Sequence, residues 1–241
     1  MYDLAKFKMS EMIECGSALR QIGAGAGSME EVADRIVRHL HEKFRDPVAG
    51  GHECALVRFY KTHSYGELDS GLQEYARNIL RQAVVPDTMK CLTLLATAGE
   101  NPAWNFRKNS AGHKAIPLPS EETIKLFPMI SRLIQQFGME VNNLLNPDST
   151  LMMEIEQKTY NVFYVEDALG SPFVPAQEGF VVAYGVKSVL GFGGMLPDGN
   201  LYAIIIFSKV HIPKETADMF KTLSLNVKMA ILPHVNADVF P

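Results

Sequence analysis

The sequence predicts an α+β domain, a mostly antiparallel central sheet flanked by N- and C-terminal helices, and three features lead to it. Apolar residues recur at helical spacing near the start (Leu4, Phe7, Met12, Ile13, Leu19) and near the end (Met219, Phe220, Leu223, Leu225, Val227, Ile231). Short apolar runs of strand length lie between them. Two of these runs, 187–196 and 201–207, flank Pro197, Asp198, Gly199 and Asn200, which suit a tight hairpin turn. Helices at the ends and strands inside are the order of an α+β chain rather than of repeated βαβ units.

The elements follow in order. The N-terminal helical pattern breaks at Gly23, Gly25 and Gly27, and Ser28 then caps a second helix with Glu30 and Glu31 in its first turn and Val32, Ile36, Val37 and Leu40 as its stripe. Residues 53–60 form the first strand, apolar on both faces. A helix over 68–80 has Leu68, Leu72, Tyr75, Ile79 and Leu80 along one side, and residues 90–98 form the second strand, closed by Gly99. The stretch 100–119 reads as a long loop, of a length that tends to carry function. Ser120 caps an amphipathic helix ending at Gly138, with Ile124, Leu126, Ile130, Leu133, Ile134 and Phe137 on its apolar side and a bend at Pro128. Residues 161–165 make a short strand, 170–175 a loop, and Pro213, Glu215 and Thr216 open the last helix.

Size and charge narrow the function classes. A chain of 241 residues, 47% hydrophobic, can bury one core, and the reading is one domain over 28–233, preceded by a dimerising helix at 1–27 and followed by a tail at 234–241. A net charge of -4 leaves no excess of Lys and Arg for phosphates, so nucleic acid is not an expected partner. The apolar stretches 180–183 and 201–207 are far below the roughly 20 residues that cross a bilayer, so no membrane partner is expected either. The N-terminus lacks the basic start and apolar run of a signal peptide, which gives a cytoplasmic expectation. Cys15, Cys54 and Cys91 form neither a CxxC pair nor a zinc pattern and read as buried thiols.

No GxSxG or HExxH occurs, and no catalytic residue or metal ligand is assigned. The glycines at 23–27 follow a helix and lack GxGxxG spacing, so a helix-to-helix joint is preferred to a phosphate loop. Arg58 shares a strand face with Cys54, Leu56 and Tyr60 and needs a partner there. That partner is either Glu166 or Asp167, the preferred reading, or a ligand carboxylate or phosphate. Thr93 and Thr97 are expected to point the same way, offering hydroxyls or simply filling a strand. Trp104, Phe106 and His113 lie on the long loop, either lining a pocket or pinning the loop. Tyr160, Phe163 and Tyr164 are pocket wall or core, and Gly191, Gly193 and Gly194 mark a close approach or a bulge.

The closing segment carries a family resemblance. Tyr184-Gly185-Val186-Lys187-Ser188-Val189-Leu190-Gly191-Phe192, the Pro-Asp-Gly turn, Leu201-Tyr202-Ala203-Ile204-Ile205-Ile206-Phe207 and the helix opening after Ile212-Pro213 resemble the C-terminal half of GAF domains. The likeness covers about 160–232, while 28–160 agrees in element order only; Lys187 stands where the family usually has Arg, and Gly191-Phe192-Gly193-Gly194 replaces an apolar run. Residues 168–177 leading into Phe180-Val181-Val182 are similar to N-terminal input segments of bacterial two-component signalling proteins. The resemblance implies terminal helices on one face of a PAS/GAF-type sheet and a small-molecule pocket on the other. Members bind cyclic nucleotides, tetrapyrroles or haem, and many bind nothing known, so the cofactor stays unknown. A bilin thioether would have to use Cys54 or Cys91, and the second half has no thiol for the methionine-reducing chemistry of some relatives.

The expected function is a sensory or regulatory domain that binds a small molecule, relays a signal through a homodimer of its terminal helices and acts on a downstream kinase or regulator domain. The alternatives are a ligand-free structural dimerisation module and a thiol-dependent redox enzyme. The candidate ligand-contacting residues are Arg58, Thr93, Thr97, Trp104, Phe106, His113, Tyr164 and Phe192.

Overall fold

Capping chemistry sets the helical segments. Helix α1 (Met9–Gln21) follows a 3-10 turn at Leu4–Lys6, where the Asp3 carboxylate accepts hydrogen bonds from the Ala5 and Lys6 N–H groups at 2.9 and 3.1 Å. Ser28 caps α2 (Met29–Lys43), its hydroxyl accepting from Glu31 N–H at 3.1 Å. Asp69 does the same for α3 (Ser70–Leu80) through Leu72 N–H at 2.8 Å. Pro128 breaks the helix expected over 120–138 into α4 (Glu121–Lys125) and α5 (Pro128–Gln136), because its ring removes a donor and suits only a first turn. The short α6 (Val141–Leu145) follows, and α7 (Lys214–Ile231) begins after Pro213. This computed structural model describes residues 1–138, 140–145, 162–237 and 240, with the side chain of Asn143 left aside; Tyr160 and residue 161 of the expected third strand fall outside them.

The strands are β1 (Cys54–Ser64), β2 (Lys90–Gly99), β3 (Ala115–Leu118), β4 (Phe163–Val165), β5 (Ser188–Met195) and β6 (Leu201–Ser208). They form one sheet in the order β3-β2-β1-β6-β5-β4, and every neighbouring pair is antiparallel. The hairpin at 196–200 closes as expected: Leu196 N–H donates to Asn200 O at 2.9 Å, Gly199 N–H donates to Leu196 O at 3.0 Å, and Gly199 takes a φ of 76°. Strand β1 runs four residues beyond its expected end. The expected loop at 100–119 contains strand β3, whose Pro117 is tolerated because the strand lies at the sheet edge.

Two bulges redistribute side chains between the faces. Phe59 pairs with Ala96 and Tyr60 with Leu94, so Leu95 is an extra residue and the alternation of β2 reverses across it. Thr97, opposite Arg58, shares the Arg58 face; Thr93, opposite Lys61, points to the other, so the two threonines do not point the same way. A second register shift between Cys54 and Leu56 turns Cys54 away from Leu56 and Arg58 into the helix-covered core.

That helix-covered core holds α1, α2 and α7 against one sheet face, with Leu19, Ile36, Phe59, Phe192, Phe220 and Val227 fully buried or nearly so. Helix α1 lies on α7, where a side chain on Gly23 would meet the Ala230 carbonyl oxygen at 2.6 Å. Gly23 therefore permits close backbone approach, while Gly25 takes a left-handed φ of 69° in open space. Ile13, Leu225 and Leu126, expected on apolar stripes, are instead 63%, 59% and 76% exposed. The opposite sheet face packs a second core beneath α4, α5 and the segment 173–186. Phe180 belongs there to a single wide helical turn, Gln177–Val182, rather than to a strand. The architecture is the α+β layering that the GAF resemblance implies.

Register through β5 and β6 is unbroken, so the glycines of β5 mark no bulge there. A Cβ on Gly193 would lie 2.1 Å from the Tyr202 carbonyl oxygen of the neighbouring strand. Gly193→Ala is expected to lower stability by about 1–3 kcal/mol through overpacking. Urea denaturation measures the loss, and an unchanged midpoint would contradict the close approach.

Candidate functional site

A cavity of about 280 Å³ opens between the second core and the sheet. Its floor is made by alternate residues of three adjacent strands: Leu56, Arg58 and Tyr60 on β1, Ala203, Ile205 and Phe207 on β6, and Leu92 on β2. Ile130 and Leu133 of α5, with 126–129 just before it, form the roof beside Val174, Pro175, Ala176 and Phe180. Trp104 and His113 close one side from the long loop. Trp104 stands edge-on to Phe180 at 5.6 Å and lies 4.4 Å from the Tyr184 ring, and Phe180 meets Phe207 edge-on at 4.9 Å.

The loop owes its position to side chains that satisfy its backbone. Asn105 exchanges two hydrogen bonds with Gly99, accepting from its N–H at 3.1 Å and donating to its carbonyl at 3.2 Å. Arg107 forms a two-pronged ion pair with Glu30 of α2 at 2.5 and 3.0 Å. His113 takes a φ of 60°, and its N–H donates to the Tyr75 hydroxyl at 2.8 Å. These contacts bring Ser110 and His113 over the β1 floor.

Arg58 is the single formally charged side chain among the described residues of the lining. Its Nη1 donates to the Tyr60 hydroxyl at 3.2 Å and its Nη2 to the Ser110 hydroxyl at 3.1 Å, while Ser110 Oγ donates onward to Gly112 O at 2.9 Å. Its Nε is buried without a partner among the described residues. The expected pairing with Glu166 or Asp167 does not occur: both are exposed, the Glu166 carbonyl accepts from Ser188 Oγ at 2.7 Å, and Asp167 lies 3.5 Å from His211 Nδ1. They follow β4, an edge strand separated from β1 by β6 and β5. Burial, and then the Arg58 charge, push His113 below the ordinary histidine pKa, so its ring is neutral near pH 7.

Of the expected ligand-contacting residues, Arg58, Trp104 and His113 come together around the cavity. Thr97 lies on the same sheet face directly across from Arg58, 1% exposed, its hydroxyl buried without a partner among the described residues. The others lie away from it. Thr93 is on the helix-covered face, where its hydroxyl reaches Cys91 O at 3.5 Å. Phe106 is 62% exposed beside a separate hollow next to α2. Tyr164 packs on the helical core with its hydroxyl donating to Ile212 O at 2.5 Å, and Phe192 stacks edge-on against Phe220 at 5.1 Å.

The cavity also uses Tyr60, Ser110, Ile205, Phe207 and Leu133, which sequence reasoning did not single out. Alternation along β1 and β6 signals the strand residues; no periodicity signals Ser110, which arrives by loop geometry.

All three cysteines are free and buried, and burial pushes Cys15 and Cys91 up to about 12 and Cys54 higher still, which keeps each a protonated thiol rather than a nucleophile. Among the described residues no cluster of three or more His, Cys, Asp or Glu is placed to hold a metal ion, and no helix is long and apolar enough to cross a membrane.

No family model matches the chain, and no curated protein sequence matches it. Among solved structures the chain is similar to the GAF domain of a phosphoenolpyruvate-protein phosphotransferase from Coxiella burnetii, with 15% identity and a TM-score of 0.43 over 94% of this chain and 95% of that one. It is also similar to the phycoerythrobilin-bound GAF domain of a cyanobacterial phytochrome, with 12% identity and a TM-score of 0.40 over 93% of this chain and 96% of that one.

Proposed function

We propose that the chain is a GAF-like sensory or regulatory domain that takes a small molecule into the cavity between the sheet and α5. The observation that carries this reading is the apolar cavity with a guanidinium in its floor that has no carboxylate partner among the described residues, on the sheet face opposite the terminal helices. Strands β1 and β6 have the cavity on one face and the helical core on the other, so occupancy would bias how α1 and α7 sit on the sheet. Exposed Ile13 of α1 and Leu225 and Met229 of α7 support a homodimer through these helices, with a kinase or regulator domain downstream. Two-component signalling is the context that the 168–182 resemblance favours.

Native mass spectrometry of the freshly purified full chain tests the binding claim. A retained small molecule that is lost on denaturation is the expected result. A bare chain that also gains no stability from any small-molecule panel would favour the alternative, a structural dimerisation module, which the same exposed residues support. Ile13→Glu with Leu225→Glu is expected to shift light scattering from dimer to monomer, and an unchanged mass would remove the dimer from the proposal.

A further inference from the structure

Resting on that ligand-binding reading, we infer that the cavity takes an apolar monocarboxylate, with the carboxylate on the free edge of the Arg58 guanidinium and the hydrocarbon body between the sheet and α5.

The partners of Arg58 are the starting point. A guanidinium removed from water into apolar surroundings is costly unless a counter-charge and its full set of acceptors accompany it. Among the described residues Arg58 has two acceptors, both neutral hydroxyls, and no carboxylate. Each Nη makes one bond where it can make two, and Nε makes none. The unused donors therefore include Nε and one N–H on each Nη, so an Nε and Nη edge remains that matches the two oxygens of a carboxylate side-on. Across the strand pair, Thr97 Oγ1 has no partner among the described residues, but Thr97 does not line the cavity. The unmet donors of Arg58, which does line it, are a deficit that an anionic ligand head satisfies.

Charge and size select the class. His113 is neutral near pH 7, leaving a single positive charge facing the cavity, which balances one carboxylate and half-balances a dianionic phosphate ester. The rest of the lining is hydrocarbon: Leu56, Leu92, Ile130, Leu133, Ile205 and Phe207 give a ligand body nothing to hydrogen-bond. At about 280 Å³ the space is at the small end of ligand pockets, which start at roughly 300 Å³. A medium-chain acyl or an aryl carboxylate fits it; a dinucleotide does not.

Calorimetric titration of the full chain with octanoate, octanol, octylamine and octyl phosphate is the test. Octanoate is expected to bind about tenfold or more tightly than octanol, the size of one charge-assisted hydrogen-bonded contact, with octylamine weaker than both and octyl phosphate weaker than octanoate. Arg58→Met is expected to lower octanoate affinity about tenfold and octanol affinity by a clearly smaller factor, and retained octanol binding shows that the variant folds and keeps its cavity. If the variant does not fold, the four-probe series on the natural chain decides alone. Octanol or octylamine binding as tightly as octanoate overturns the carboxylate and keeps the apolar pocket; octyl phosphate binding tightest replaces the carboxylate by a phosphate. No heat with any probe, together with a bare chain in native mass spectrometry, overturns the ligand-binding reading itself.

Discussion

Phe220→Ala is expected to lower the stability of the chain by about 3–5 kcal/mol, the largest single-residue effect foreseen. Phe220 is fully buried on α7, and its ring centre lies 5.1 Å from that of Phe192 on β5, 5.7 Å from Phe7 and 5.9 Å from Phe44 at the end of α2. Truncation leaves a void whose walls belong to the sheet and to two separate segments of the helical layer besides α7 itself, and such walls cannot all move inward together. Urea denaturation provides the measurement, with Val84→Ala as the comparison, since Val84 is 85% exposed and its truncation is expected to change stability by less than about 0.5 kcal/mol. Similar losses in the two variants would contradict the aromatic cluster as a centre of packing.

Acid is expected to unfold the chain well above the pH at which carboxylates titrate. Burial holds three histidines below the ordinary value of 6.5: His39, His41 at about 4, and His63 well below it. His63 is further depressed by Lys61 and Lys90, His41 by His52, and His39 by Lys43. As pH falls below about 6.5 the unfolded chain binds protons that the native state refuses, so each such histidine removes up to about 1.4 kcal/mol of stability per pH unit until its native pKa is reached. Glu53, raised by burial, acts in the opposite sense because the native state binds its proton more readily. Three groups against one leave a net loss from about pH 6.5 downward. Urea midpoints measured from about pH 7.5 to about pH 4.5 should fall throughout, and a flat profile over that range would sink the expectation.

The terminal helices, the hairpin and the single sheet were legible because each rests on a local rule: a cap such as Ser28, a stripe such as Val32, Ile36 and Leu40, or a turn such as Asp198 and Gly199. The faces of the strands were less so. The extra residue Leu95 in β2 reverses every side chain beyond it, and a bulge leaves no mark in the pattern because Leu95 and Ala96 are as apolar as their neighbours. Thr93 and Thr97 therefore look equivalent in sequence and are not. At the cavity, Arg58 stood out as a charge on an apolar strand, but its two hydroxyl partners did not. Ser110 is 52 positions away and arrives only because Asn105, Arg107 and Tyr75 pin the loop that carries it.

Helix α1 is held by α7 rather than by the strands that follow it, and the bond between Arg20 and Asn226 spans 206 positions of chain. Loop-closure entropy of that extent must be overcome before the contact gives anything back. The leading helix gains this docking surface only once α7 is in place, so during refolding the amides of α1 are expected to become protected from hydrogen exchange after those of the central strands, and earlier protection of α1 would contradict this.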